Sequence, residues 1–359
     1  MRILHVVQHF CAGGLEKFVW NLSLAQKDLG HEVALFVYDE QRDWAPLLER
    51  LGVKVYLPPK KKNGFDIELI FRLDQVSSNY DIVHSHDIGP LIYCGFVSAL
   101  KKIRCDKQIF MHSVHGLVHK NNKRYHLYET IFTKAMDQVI AVSPEIYHYY
   151  DEKMRIPKKR LKMLYNGVEV DPLRTIYHSN LHQNERNYLR KKYNIATDKK
   201  IIIHVARIFP LKDQMTLVKA MNHLPHHELL IVGPIQDFTY GEKLKEIAGP
   251  RVHFVGSINN VEEYLLGSDI YASASTEEGL SISVLEAMAA GLPVLLSDIE
   301  GHRILTNNGE VGTHFKLGDS EDFALKVVHL KDGHLGFDYV QENYSLEEVA
   351  GKYLKLYQR

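Results

Sequence analysis

Two carboxylates eight positions apart, Glu278 and Glu286, stand in the run Ser275-Thr-Glu-Glu-Gly-Leu-Ser-Ile-Ser-Val-Leu-Glu-Ala-Met-Ala-Ala-Gly-Leu-Pro-Val294. The run reads as strand end, glycine loop, helix, glycine stop, proline and next strand. Glu278 falls in the loop and Glu286 about one turn into the helix. A carboxylate accepts paired hydroxyls, as a ribose or hexose presents them. The backbone N–H groups from Gly279 to Ser283 open a helix and suit an anion such as a diphosphate. As an isolated pair, the two acids would read as a solvated loop residue and a helix-surface residue. Their setting beside the anion site points instead to hydroxyl binding.

A second pattern, Val205-Ala-Arg-Ile-Phe-Pro-Leu-Lys-Asp213, places Arg207 and Lys212 across a strand-to-helix turn. Two cations there can neutralise a leaving diphosphate. Gly13-Gly14 after the first strand is a weaker sign, equally a plain tight turn, because it is not the GxGxxG fingerprint. His115-Gly116 closes another strand end. A lone histidine is usually structural, but this one follows a strand that would face the ligand.

These residues need strands to carry them. Apolar runs at Ile3–Val7, Val33–Val37, Val53–Leu57, Asp81–His86, Ile109–Val114 and Val139–Val142 alternate with helical patterns. Leu15–Leu29 and Asp66–Ser77 are two such helices, with Gly30 ending the first. Ser143-Pro144 has the form of an N-cap followed by proline. The polar stretch 167–198 breaks the rhythm and reads as a linker holding a short helix. Strands at Ile201–Ala206, Leu229–Val232, His253–Val255 and Ile270–Ser273 restart it, and Ser345-Leu-Glu-Glu348 opens a last helix as a capping box. The expected fold is α/β: residues 1–166 as one Rossmann-like, doubly wound parallel-sheet domain, 199–340 as a second, and 341–359 as a terminal helix.

A chain of 359 residues with 45% hydrophobic and 25% charged residues is globular and long enough for two such domains. No apolar stretch is long enough to span a bilayer, and the start MRILHVVQHF lacks the form of a signal peptide, so a cytoplasmic location is expected. Cys11, Cys94 and Cys105 form no CxxC pair and read as reduced and buried. Net charge is zero, yet the first half is cationic, with clusters at Lys60, Lys61 and Lys62, at Lys101, Lys102 and Arg104, and at Lys158, Lys159 and Arg160. Such a half suits an anionic acceptor or the inner membrane face, or is scattered solvated charge. No basic-aromatic stripe suggests nucleic acid. Of the 21 histidines, His84 and His86 would share one strand face near His112 and His115. No carboxylate or thiolate completes a recognisable metal pattern, so no metal is expected.

Taken together, these motifs resemble the retaining GT-B glycosyltransferases of family 4. The resemblance runs over nearly the whole chain: the GG loop, Asp81-Ile-Val-His-Ser-His86, Ser113-Val-His-Gly116, Val139-Ile-Ala-Val-Ser143, Tyr165-Asn-Gly-Val168, the Arg207/Lys212 turn and the Glu278-to-Glu286 element. It implies an acceptor-binding first domain and a donor-binding second domain facing a cleft, with the last helix crossing back. It implies that Glu286 holds the ribose and Glu278 the transferred sugar. Arg207, Lys212 and the amides of Leu280, Ser281 and Ile282 would hold the diphosphate, His115 would lie near the sugar, and Gly256 to Ile258 would meet the base. Gly13 and Gly14 would join the donor site. Transfer from a UDP- or GDP-sugar to a glycan, lipid-linked or polysaccharide acceptor would need no metal cofactor and would serve cell-surface glycan synthesis. Two departures stand out: Gly279-Leu-Ser281 replaces the family's Gly-Phe-Gly, and Gly233-Pro-Ile replaces its Gly-x-Gly. An epimerase of the same fold and a catalytically silent sugar-nucleotide binder are the competing readings.

Overall fold

The computed structural model describes residues 1–358 apart from 12, 40–41, 60–63, 118–121, 171–181 and 259. The cluster Lys60, Lys61 and Lys62 therefore lies outside the described residues. The chain forms two compact units, Met1–Gly167 with Leu346–Arg359, and Val168–Ser345.

The first unit holds a parallel sheet of strands β1 (Arg2–Val7), β2 (Glu32–Val37), β3 (Lys54–Tyr56), β4 (Ile82–His86), β5 (Ile109–Val114), β6 (Gln138–Ala141) and β7 (Leu161–Met163), in the order β3-β2-β1-β4-β5-β6-β7. Its helices are α1 (Gly14–Asp28), α2 (Ala45–Arg50), α3 (Ile67–Ser77), α4 (Ile88–Ile103), α5 (Lys123–Phe132) and α6 (Pro144–His148). Helices on both faces bury the sheet, so β1 and β2 are apolar almost throughout. Local rules set the ends. Asp66 caps α3 through the amides of Glu68 and Leu69, Ser143 caps α6 through Ile146, and Gly30 takes φ +83° after α1.

The second unit begins with α7 (His182–Tyr193), inside the stretch read as a linker. Its sheet comprises β8 (Lys200–Val205), β9 (His227–Val232), β10 (Val252–Gly256), β11 (Ile270–Ser273), β12 (Val294–Ser297) and β13 (Thr313–Phe315), in the order β10-β9-β8-β11-β12-β13. Helices α8 (Gln214–Ala220), α9 (Phe238–Ile247), α10 (Val261–Leu266), α11 (Ile282–Ala289), α12 (Glu300–Leu305), α13 (Ser320–Lys326) and α14 (Gly333–Tyr344) complete it. Helix α14 packs on α11, and glycine allows the approach: a Cβ on Gly333 would lie 1.9 Å from the carbonyl oxygen of Gly291. The last helix, α15 (Leu346–Tyr357), belongs to the first unit, where Val349, Tyr353 and Tyr357 join the core beside α1.

The cysteines depart from expectation. Cys94 is buried, Cys11 is half-buried and Cys105 is exposed. Cys105 sits in the turn after α4 at φ +62°, where the chain leaves the core. The basic cluster at Lys101, Lys102 and Arg104 is spent within the fold. Lys101 pairs with Asp74 at 3.3 Å and Asp106 at 3.4 Å, Lys102 with Asp137 at 3.0 Å and Arg104 with Asp74 at 2.7 Å. Among the described residues no helix is long and apolar enough to cross a membrane.

Candidate active site

In each sheet the strand order reverses once, between β1 and β4 and between β8 and β11, and open α/β sheets bind ligands beyond the carboxyl ends of the strands at such a point. Of the residues singled out in the sequence, Gly13 and Gly14 follow β1, Arg207 and Lys212 follow β8 and Glu278 follows β11, while His115 follows β5 and Gly256 ends β10.

In the second unit, β8 leads into Arg207 and Lys212, and β11 into the loop with Glu278. The pairing of these strands makes the two loops neighbours. Thr276 fastens them, its amide donating to the Leu211 carbonyl at 2.9 Å. Lys212 Nζ then donates to Glu278 Oε1 at 2.5 Å, and Ser275 Oγ donates to the same oxygen at 2.8 Å. Burial pushes the Glu278 carboxyl up. The Lys212 charge and hydrogen bond, with help from His302 and Ser275, outweigh that and hold it below the ordinary range. Arg207 is exposed, and its guanidinium has no ion-pair partner among the described residues. Its carbonyl accepts from buried Gln214 at 3.0 Å, which anchors the turn.

Helix α11 starts after Ser281. The first amides of a helix have no carbonyl within it to donate to, so those from Ile282 on are available to an anion, and Leu280 and Ser281 lead directly into them. Leu285, Ala287, Met288 and Ala289 bury one face of α11. Ile282, Ser283 and Glu286 occupy the other, where Ser283 Oγ accepts from Tyr271 Oη at 2.9 Å. Burial raises Tyr271, and the charges of Glu278 and Glu286 raise it further. Gly279 is held from beneath by α12: a Cβ on Gly301 would come within 2.3 Å of the Glu278 carbonyl oxygen.

The departure at Gly233-Pro-Ile is structural. Ile208 N–H donates to the Pro234 carbonyl at 2.8 Å, so the group used there is the one proline keeps. Gly233 lies so close to Ala206 that a Cβ would be 2.2 Å from its carbonyl oxygen. Gly256, ending β10 at φ +78°, accepts from the Gly233 amide at 2.9 Å and leads to half-buried Ile258.

Sequence reasoning missed His302. It is fully buried, Nδ1 lies 2.9 Å from the Ser297 carbonyl, and Nε2 has no partner among the described residues. Burial lowers it to about 4. A neutral ring donating from Nδ1 presents a bare Nε2. Glu278 supplies the largest charge acting on it.

In the first unit, Gly13 is the N-cap of α1 and Gly14 its first residue. The Glu16 carboxylate folds back over Gly13, where a Cβ would lie 2.1 Å from its Oε2. Asp87, after β4, holds φ +67°, a strained value for a residue with a Cβ. Burial, offset by a bond from the His115 amide and aided by Glu16, lifts its carboxyl to about 6. His84 and His86 share a face, with rings 4.2 Å apart, and His5 from β1 joins them; one nitrogen from each lies within 4.8 Å of the others. His5 was not singled out in the sequence, where it lies far from the other two. These nitrogens are engaged in hydrogen bonds: His5 Nδ1 with His86 Nε2 at 2.9 Å, and His84 with Tyr357 Oη at 2.7 Å and Ser113 Oγ at 2.8 Å. His115 Nε2 meets His86 Nδ1 at 3.1 Å.

Two parallel sheets, each with candidate side chains beyond its switch point, have the fold of the GT-B sugar transferases. The family model described as Glycosyl transferases group 1 matches residues 185–334, and that of Glycosyltransferase Family 4 matches residues 12–172. The chain belongs to the group 1 glycosyltransferases. It is 27% identical to EpsD of Bacillus subtilis over 90% of this chain and 84% of that protein. It is 24% identical to an Escherichia coli UDP-Gal:alpha-D-GlcNAc-diphosphoundecaprenol alpha-1,3-galactosyltransferase over 70% and 67% of the two chains. The fold matches Anabaena HepE, solved in complex with UDP and glucose, with a TM-score of 0.82 at 17% identity over 99% of each chain.

Proposed function

We propose that the protein moves a hexose from a UDP- or GDP-sugar to a lipid-linked or polysaccharide acceptor in cell-surface glycan synthesis, keeping the anomeric configuration. The observation that carries this reading is the Lys212–Glu278 pair at 2.5 Å, beside the start of α11 and at the switch point of the second sheet.

In this reading Arg207, Lys212 and the amides of Leu280, Ser281 and Ile282 take the diphosphate, whose developing charge is neutralised as the bond to the sugar breaks. Glu286 accepts the ribose hydroxyls. Glu278, kept ionised by Lys212, accepts hydroxyls of the sugar. Gly256 and Ile258 border the base. Gly13, Gly14 and His115 are the candidate sugar contacts within the first unit, and no metal takes part. The relatives support the substrate classes: one is named for a UDP-galactose donor and a diphosphoundecaprenol-linked acceptor, and the HepE structure holds UDP and glucose.

The first unit also has a cavity of about 630 Å³ lined by Gln8, Tyr38, Phe65, Tyr93, Phe96 and Arg124 among others. It opens by the ends of β1 and β2. Aromatic faces suit a sugar ring or apolar chain, and Arg124 suits a phosphate, so we assign the acceptor to it.

The test is incubation with UDP-galactose, UDP-glucose or GDP-mannose, with EDTA, and a short-chain lipid-diphosphate sugar. The reading expects a longer glycan whose new linkage keeps the donor's anomeric form. Epimerised donor without acceptor consumption, or no turnover of any donor that binds, would contradict it.

A further inference from the structure

Behind His115 runs a line of hydrogen-bonded side chains. Gln26 Oε1 lies 2.8 Å from His5 Nε2, His5 Nδ1 2.9 Å from His86 Nε2, and His86 Nδ1 3.1 Å from His115 Nε2. Gln26 and His5 are fully buried, and His86 is 1% exposed. Burial lowers His5 to about 4, holds His86 well below the ordinary value, and lowers His115 too. All three rings are therefore neutral near pH 7. A neutral imidazole has one N–H and one lone pair, so rings joined in series cannot choose their tautomers independently.

Two orientations of the line are conceivable, and its ends decide between them. At the far end, Gln26 Nε2 donates to Tyr357 Oη at 3.3 Å, leaving Oε1 to accept from His5. His5 then accepts at Nδ1 from His86, and His86 at Nδ1 from His115. At the near end, His115 Nδ1 is buried with no partner among the described residues. In this orientation that orphan is a lone pair. The reverse would leave a buried N–H there, the rarer and costlier orphan.

We propose that Gln26, His5 and His86 are positioning residues that fix His115 in its Nε2–H tautomer and present its bare Nδ1 to a hydroxyl of the sugar substrate. The proposal rests on the reading of His115 as a sugar contact. It gives that residue a defined polarity, an acceptor of a hydroxyl proton rather than a donor to an oxygen. It also explains why a polar line crosses the core of the first unit: each member fixes the next by one hydrogen bond.

The experiment is long-range proton–nitrogen NMR of the whole protein labelled with ¹⁵N-histidine, with His115→Asn assigning the His115 signals. The expected result is an unprotonated Nδ1 and a protonated Nε2 on His115. Gln26→Glu, whose carboxylate still accepts from His5, keeps that pattern, whereas Gln26→Met gives mixed tautomers. With a competent donor and acceptor, Gln26→Met lowers kcat/KM by about tenfold, the worth of one hydrogen bond. Gln26→Glu restores it, and nucleotide affinity is unchanged in both. A protonated Nδ1 in the wild-type protein, or a Gln26→Met spectrum identical to it, would overturn the proposal. The wild-type spectrum decides alone should Gln26→Met not fold. It needs no substrate, so a failure of the transfer reaction is told apart from a failure of the relay.

Discussion

Removing Lys212 should change both the stability of the second unit and the pH at which that stability is lost. Lys212→Met takes from Glu278 a hydrogen bond of 2.5 Å and the charge that offsets its burial, leaving Ser275 as a donor. A hydrogen bond to a charged group contributes roughly 1.5–3 kcal/mol. The side chains are 23% and 12% exposed, so solvent screening reduces this to about 1–2 kcal/mol. For a unit of this size that is a fall in melting temperature of about 2–8 °C at pH 7. The pH dependence has a fixed sign. Glu278 sits below its ordinary value in the fold, so its ionised form stabilises the protein at neutral pH, and that contribution fades as pH falls through the carboxylate range. Without Lys212, burial prevails and the carboxyl moves up, so acid no longer costs the variant what it costs the wild type. Melting curves from pH 7 down to about pH 4 should show the gap narrowing, and Lys212→Arg should restore most of it. Equal melting temperatures at pH 7, or a gap that stays constant in acid, would refute the pairing as the source of the Glu278 shift.

Other outcomes follow from the same geometry. Glu286→Ala should weaken nucleotide binding at least tenfold by calorimetry, while Lys212→Ala should mainly slow transfer in steady-state assays. Gly301→Ala places a Cβ within 2.3 Å of the Glu278 carbonyl oxygen, so it should cost about 1–3 kcal/mol in thermal stability and weaken donor binding by moving the loop. Tyr357→Phe leaves Gln26 and His84 short of a buried partner and should lower stability by about 1–3 kcal/mol in urea titrations, with donor affinity unchanged.

Strands were legible where both faces are buried, as in Ile3–Val7 and Ile109–Val114, because continuous apolar runs are what a doubly covered parallel sheet demands. Short or half-exposed elements were not. Strand β7 is three residues with one buried side chain, and α5, Lys123–Phe132, buries only Glu129 and so shows almost no apolar stripe. In the site, charge and glycine spacing pointed to Glu278, Glu286, Arg207 and Lys212, and the structure brings Lys212 onto Glu278 through the β8–β11 pairing. Ser275 lies only three residues before Glu278 in the same loop, but nothing local marks Tyr271 or His302 as neighbours of the pair, since folding of the second sheet brings them there. The histidine line was half visible: the alternation of His84 and His86 gave a shared face, but His5 and Gln26 join it from β1 and α1 by contacts of long sequence separation.

The most direct test of the account is calorimetric titration of UDP, GDP and ADP into the wild-type protein and Glu286→Ala, each with EDTA present. The account predicts that UDP or GDP binds the wild-type protein with EDTA present and binds at least tenfold more weakly to Glu286→Ala. Failure of every nucleotide to bind, binding abolished by EDTA, or an affinity indifferent to Glu286→Ala would contradict it.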